Sequence, residues 1–100
     1  MIDIVWEFQV REGREEEFEV LYSSSGIWAR LFANDPAYRG TTLLRDADQT
    51  RRYLTIDRWT SRSEFQKFRQ RSSSQYEAID RQCENLTESE QLLGIFEAVG

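Results

Sequence analysis

A carboxylate set among aromatic rings is the feature of this chain best suited to chemistry. Along Arg51–Trp59 (RRYLTIDRW), alternation puts Tyr53, Thr55, Asp57 and Trp59 on one face of a strand, and Leu54, Ile56 and Arg58 on the other. A carboxylate walled by aromatics has a raised pKa and can accept a proton from a phenol-like ligand, so Asp57 is a candidate base. The competing reading is an ordinary salt bridge to an Arg of a partner subunit. Trp28, Tyr53, Trp59 and Tyr76 are candidates to line an aromatic pocket that stacks a planar ligand, with the Tyr76 phenol hydrogen-bonding to it. Core or interface packing is the alternative for each of these rings. Arg58 could clamp an anion, or bridge across the sheet. Cys83, with Asp80 and Glu84 nearby, reads as an inert buried thiol.

Composition narrows the chemistry. The chain has no histidine, which removes the commonest general base and the commonest metal and haem ligand. A single cysteine excludes an intrachain disulfide. The net charge of −5 argues against nucleic acid as the main partner. Glu15, Glu16 and Glu17 are consecutive, so they do not share a helix face and read as a solvated helix start. No zinc spacing, Gly-rich phosphate loop or nucleophile elbow is present, and no metal is expected. One hundred residues with 39% hydrophobic and 31% charged content predict one globular domain over 1–100. No apolar run is long enough for a membrane span, and MIDIVWEF lacks a basic leader, so the expected location is the cytoplasm.

The elements that must position these residues follow from periodicity. Ile2, Ile4, Trp6, Phe8 and Val10 alternate with polar neighbours as a half-buried strand. After a turn at Gly13, a helix opens on Glu15. Its stripe runs through Phe18, Leu21, Tyr22, Trp28, Ala29 and Phe32, with a bend or break expected at Ser23–Gly26. Asn34–Asp35–Pro36 ends it. Tyr38–Asp46 reads as a second strand, Asp46–Thr50 as a hairpin loop, and the Asp57 strand pairs back antiparallel. Ser61 and Glu64 form a capping box for a second helical region carrying Phe65, Phe68, Tyr76, Ile79 and Cys83, interrupted at Ser72–Ser74. Leu92–Val99 is the last strand, weakened at Gly94.

This order, β-α-β-β-α-β, is the ferredoxin-like α+β arrangement: a four-stranded antiparallel sheet with helices on one face. Leu54 and Ile56 are expected to bury against the helices. Tyr53 and Trp59 would then lie on the open face, which a second copy would cover as a two-fold homodimer.

The pieces VWEFQV, REEEFE, GIWARLF, IDRW, WTSRSEFQKF and LLGIFEAV, in this order and spacing, resemble the antibiotic biosynthesis monooxygenase (ABM) family of the dimeric α/β-barrel superfamily. The resemblance implies a homodimeric barrel and cofactor-free oxygenation of aromatic, polyketide-like quinols; other relatives degrade haem. Many members carry a histidine nine residues after the strand-ending tryptophan. Counting from Trp59, that position here is Phe68, which argues against iron ligation and haem degradation. Phe68 joins Trp28, Tyr53 and Trp59 as a candidate substrate-binding residue, beside Asp57 and Tyr76 as catalytic candidates. The expectation is a cofactor-independent monooxygenase acting on a small aromatic, quinol-like compound; the alternative is a non-catalytic ligand-binding or accessory dimer.

Overall fold

A computed structural model describes residues 1–100. The elements are β1 (Ile2–Val10), α1 (Glu15–Tyr22), α2 (Ile27–Phe32), β2 (Tyr38–Arg45), β3 (Arg52–Trp59), α3 (Arg62–Arg71), α4 (Ser73–Cys83), a single 3-10 turn (Glu84–Leu86) and β4 (Thr87–Glu97). The strands form one antiparallel sheet in the order β2-β3-β1-β4, the expected ferredoxin-like α+β fold.

The first helical region is split at Ser23–Gly26 and the second at the Ser72–Ser74 run, both poor helix formers. The first turn of α1 carries Glu15, Glu16 and Glu17, which suit the positive end of a helix dipole, and the helix buries Phe18 and Tyr22. Gly26 lets the chain turn sharply into α2. A Cβ there would lie 2.3 Å from the Leu21 carbonyl oxygen, so no other residue fits without moving the backbone. Ser61 Oγ caps α3 by accepting from the Glu64 amide at 3.2 Å. The Glu64 carboxylate lies 3.6 Å from Lys67 Nζ, so the box forms by its first half.

The structure reverses the expected faces of β3. Tyr53 (2% exposed) and Trp59 (0%) point into the protomer's own core, against the helices, while Leu54 and Ile56 lie on the open side. The reason is register. Phe8 stands opposite Tyr53 and Ile2 opposite Trp59, so the larger apolar rows of both strands share a face. Burying that face removes more surface from water than burying one Leu and one Ile. Trp59 packs on Phe32, Phe65 and Phe68 at centroid distances of 5.7, 5.2 and 5.1 Å. Phe18 stacks on Tyr22 at 4.1 Å.

The open face remains apolar at its centre. Val5 stands opposite Ile56, and Leu44 opposite Leu54. Leu44 is 44% and Phe96 52% exposed, and the Phe96 ring folds over Gly94, where a Cβ would meet it at 3.0 Å. Charges frame this patch. Arg52 bridges Glu7 and Asp46, Arg58 lies 3.8 Å from Asp3, and Arg58 also donates to Thr42 Oγ1 at 3.0 Å.

The last strand begins at Thr87, five residues before the expected Leu92. Thr87–Gln91 has poor strand propensity, but its backbone pairs with β1 from Val10 to Glu7, and the ladder decides. No helix is long and apolar enough to cross a membrane.

Candidate functional site

A cleft opens between the inner face of the sheet and the helices. Its floor is Trp6 and Phe8 from β1, Thr41 from β2, and Thr55 and Asp57 from β3. Its roof is Tyr22, Trp28 and Phe32 from α1 and α2, with Tyr76 and Asp80 from α4; Glu90 of β4 closes one side. The cleft holds about 50 Å³ that a water-sized sphere can occupy, and about 470 Å³ counted out into its mouth.

Asp57 is the ionisable group best placed for proton transfer. Burial pushes its carboxyl up from 3.8 to about 6, against the opposing pull of Thr41 and Arg58. Thr41 Oγ1 donates to Asp57 Oδ1 at 2.6 Å. A hydroxyl has one proton, so the 2.6 Å contact between Tyr38 and Thr41 must be donated by the Tyr38 hydroxyl. The chain Tyr38–Thr41–Asp57 therefore runs toward the carboxylate and leaves it accepting. Above about pH 6 Asp57 is ionised and able to take a proton.

Tyr76 stands edge-on to Trp28 at 4.8 Å, with the Arg69 guanidinium 3.6 Å from its ring centre. Burial pushes its phenol up to about 12, so it stays protonated and is available as a donor at neutral pH. Trp28 is 9% exposed, and its Nε1 is buried beside the Tyr22 hydroxyl and the Cys83 thiol, without a hydrogen bond of ordinary geometry.

Of the residues singled out from the sequence, Asp57, Tyr76 and Trp28 meet in this cleft. Tyr53, Trp59 and Phe68 do not line it. The Tyr53 hydroxyl turns to the rim and donates to Glu19 Oε2 at 2.5 Å, and burial with that carboxylate pushes its phenol up to about 12. Trp59 and Phe68, 0% and 1% exposed, are core. Cys83 is buried and its thiol pushed up, chiefly by burial.

Sequence reasoning missed Trp6, Thr41, Tyr22, Asp80 and Glu90. Trp6 carried a signal, since it alternates with Ile4 and Phe8 and so must face the helices. Thr41 carried one only through its register with Asp57. Glu90 was invisible because its stretch was not read as strand.

Comparison with known proteins bears on this site. A model of the antibiotic biosynthesis monooxygenase family matches residues 1–79. A crystal structure of a variant of SnoaB, a cofactor-independent oxygenase from Streptomyces nogalater, is 25% identical; the match covers 97% of this chain and 91% of that one, with a TM-score of 0.68. A candidate antibiotic biosynthesis monooxygenase from Bordetella bronchiseptica is 20% identical, over 98% of this chain and 96% of that one, with a TM-score of 0.77. PA3566 from Pseudomonas aeruginosa is 12% identical, over 99% and 94%, with a TM-score of 0.71. No curated protein matches the chain.

Proposed function

The chain belongs to the antibiotic biosynthesis monooxygenase family, and on that premise we propose that it is a cofactor-independent monooxygenase acting on a small aromatic, quinol-like compound. The observation that carries this reading is Asp57: a carboxylate pushed up to about 6 by burial, on the floor of an aromatic cleft. Asp57 removes a proton from the activated methylene or hydroxyl of the bound ring. The electron-rich anion then reduces dioxygen by one electron, the two radicals combine, and the hydroperoxide loses water. Methylene and dioxygen are consumed; carbonyl and water are formed. Tyr76 donates to a substrate oxygen, and the Trp28 and Trp6 rings hold the substrate ring.

Incubation with an anthrone-type substrate under oxygen tests this. A growing quinone absorption band is expected, and Asp57→Asn should slow it by about 100-fold or more. Absence of turnover across a panel of such rings, with binding retained, favours a non-catalytic binding module.

We further propose that two copies pair through the open sheet face, where Val5, Leu44, Leu54, Ile56 and Phe96 supply an apolar centre inside the charged frame of Arg52 and Arg58. Residues 1–100 act as one domain, and we place the protein in the cytoplasm.

A further inference from the structure

Two hydroxyls line up on Asp57 only because β2 is irregular. In a regular strand Tyr38 and Thr41, three residues apart, would point to opposite faces. Between them the pairing with β3 slips. Tyr38 stands opposite Trp59, Gly40 opposite Arg58 and Thr41 opposite Asp57, which leaves Arg39 as the extra residue of a bulge. Gly40 takes φ 116° there, and an added Cβ would touch nothing, so the backbone alone calls for glycine. The bulge turns Tyr38 to the inner face beside Thr41. Its ring rests on Phe32 and Trp59 at 5.6 and 5.5 Å, and its hydroxyl lies 2.6 Å from Thr41 Oγ1. Thr41 Oγ1 in turn lies 2.6 Å from Asp57 Oδ1. The two ends of this chain differ. Asp57 lines the cleft, so a ring bound there takes away its water. Tyr38 is half-buried, stands on an edge strand and is not part of the cleft wall. Its phenol is pushed up, chiefly by burial, so it stays protonated and can pass protons without ionising.

We propose that Thr41 and Tyr38 carry the substrate's proton from Asp57 out to water behind the bound ring. This rests on Asp57 being the base, as proposed above. The substrate C–H bond breaks, its proton joins the carboxylate and its electron pair stays on carbon. A half-turn of the carboxyl, a soft torsion, sets the protonated oxygen against Thr41, and both hydroxyls swing outward. The Asp57 proton passes to Thr41 Oγ1, the Thr41 proton to the Tyr38 hydroxyl oxygen, and the Tyr38 proton to water. Carboxylate and hydronium result, and both hydroxyls end pointing toward Asp57 again, as the structure has them. This commits the substrate. A proton kept on Asp57 can return to the carbanion, whereas a proton given to water leaves the carbanion waiting for dioxygen. The same route brings a proton back when the peroxide needs one.

Deuterium wash-out tests the relay. An anthrone-type substrate deuterated at its methylene is held with the protein in ordinary water without oxygen, and its mass is followed. The parent should speed the loss of deuterium above the rate in buffer. Tyr38→Phe keeps the ring and removes only the hydroxyl; it should slow the protein's share of this loss by about tenfold or more. Thr41→Ser keeps a hydroxyl and should retain most of it. Under oxygen, Tyr38→Phe should lose about fivefold more of the oxygenation rate at low than at saturating oxygen, where capture outruns return. Wash-out in Tyr38→Phe at the parent's rate overturns the relay, as does a loss equal at both oxygen levels, the mark of a merely structural role. Quinone formation by the parent without wash-out above the buffer rate sinks the relay and leaves the oxygenase standing. Wash-out that depends on Tyr38, with no quinone formed under oxygen, does the reverse. Wash-out in Asp57→Asn at the parent's rate, or neither wash-out nor quinone from the parent, sinks both.

Discussion

Thr41 Oγ1 donates its proton to Asp57 Oδ1 across 2.6 Å, from the residue directly opposite on the neighbouring strand. That bond steadies the ionised carboxylate, and burial opposes it more strongly. The groups around the pair are Tyr38 on β2, Arg58 on β3 and Tyr76 on α4. The kcat/KM of the oxygenation should therefore rise with pH through about 6 and level off above it. Thr41→Val removes the donor and should move this limb to higher pH, leaving the plateau rate much less affected. A pH–rate profile of both proteins checks it.

Asp57 should also limit stability. Its folded ionisation lies above the ordinary 3.8, so the native state is favoured by the protonated form. That contribution is complete below pH 3.8 and is lost as pH rises through about 6. A change from 3.8 to about 6 is worth at most about 3 kcal/mol, and ~1–2 kcal/mol allowing for residual hydration. Urea unfolding should show Asp57→Asn more stable than the parent at pH 8 and no more stable at pH 4.

Two tryptophans with unpaired indole nitrogens should respond differently. Trp59→Ala empties the core and should cost about 3–5 kcal/mol. Trp59→Phe keeps most of the contact, loses no hydrogen bond and should leave ligand binding intact. Trp28→Phe should fold normally and weaken binding of an aromatic ring by about threefold to tenfold, because a smaller ring lines the cleft. Unfolding curves beside fluorescence or calorimetric titrations separate the two sites.

Gly26→Ala should destabilise by about 2 kcal/mol or more, because the added methyl overlaps the Leu21 carbonyl 2.3 Å away. Gly94→Ala, where the nearest atom is a movable Phe96 ring at 3.0 Å, should cost less. Thermal unfolding of the two variants gives the comparison.

On the open face, Leu54→Lys should convert a dimer to a monomer in light scattering without altering the far-UV circular dichroism. A parent chain that stays monomeric at micromolar concentration would remove the pairing proposed for this surface.

The order of elements was legible because each carries its own periodicity, and the serine-rich breaks in both helical regions were visible as runs of poor helix formers. Which side of β3 meets the helices was not. Its two rows are both partly apolar, and the decision lies in pairing with β1, where Phe8 meets Tyr53. The hairpin shows the same limit. A loop of Asp46–Thr50 centres on residue 48 and would set Thr41 opposite Thr55. The loop instead centres on residue 49, with Arg51 at φ 64°, and Thr41 comes opposite Asp57. Local composition gives no hint that an Arg will accept that conformation. Asp57, Trp28 and Tyr76 were found by residue type; Trp59 and Phe68 share that type, and only packing separates them.

The reversal in β3 divides labour within eight consecutive residues. Odd-numbered positions face the helices, where Thr55 and Asp57 floor the cleft and Tyr53 and Trp59 fill the core beside it; even-numbered ones form the outer wall, one backbone thickness away. Drift in either set leaves the other untouched, so a lineage could reshape the cleft while keeping the outer face, or the converse. A single inserted or deleted residue inside the strand would exchange the two roles at once, and length there should be held far more strictly than identity.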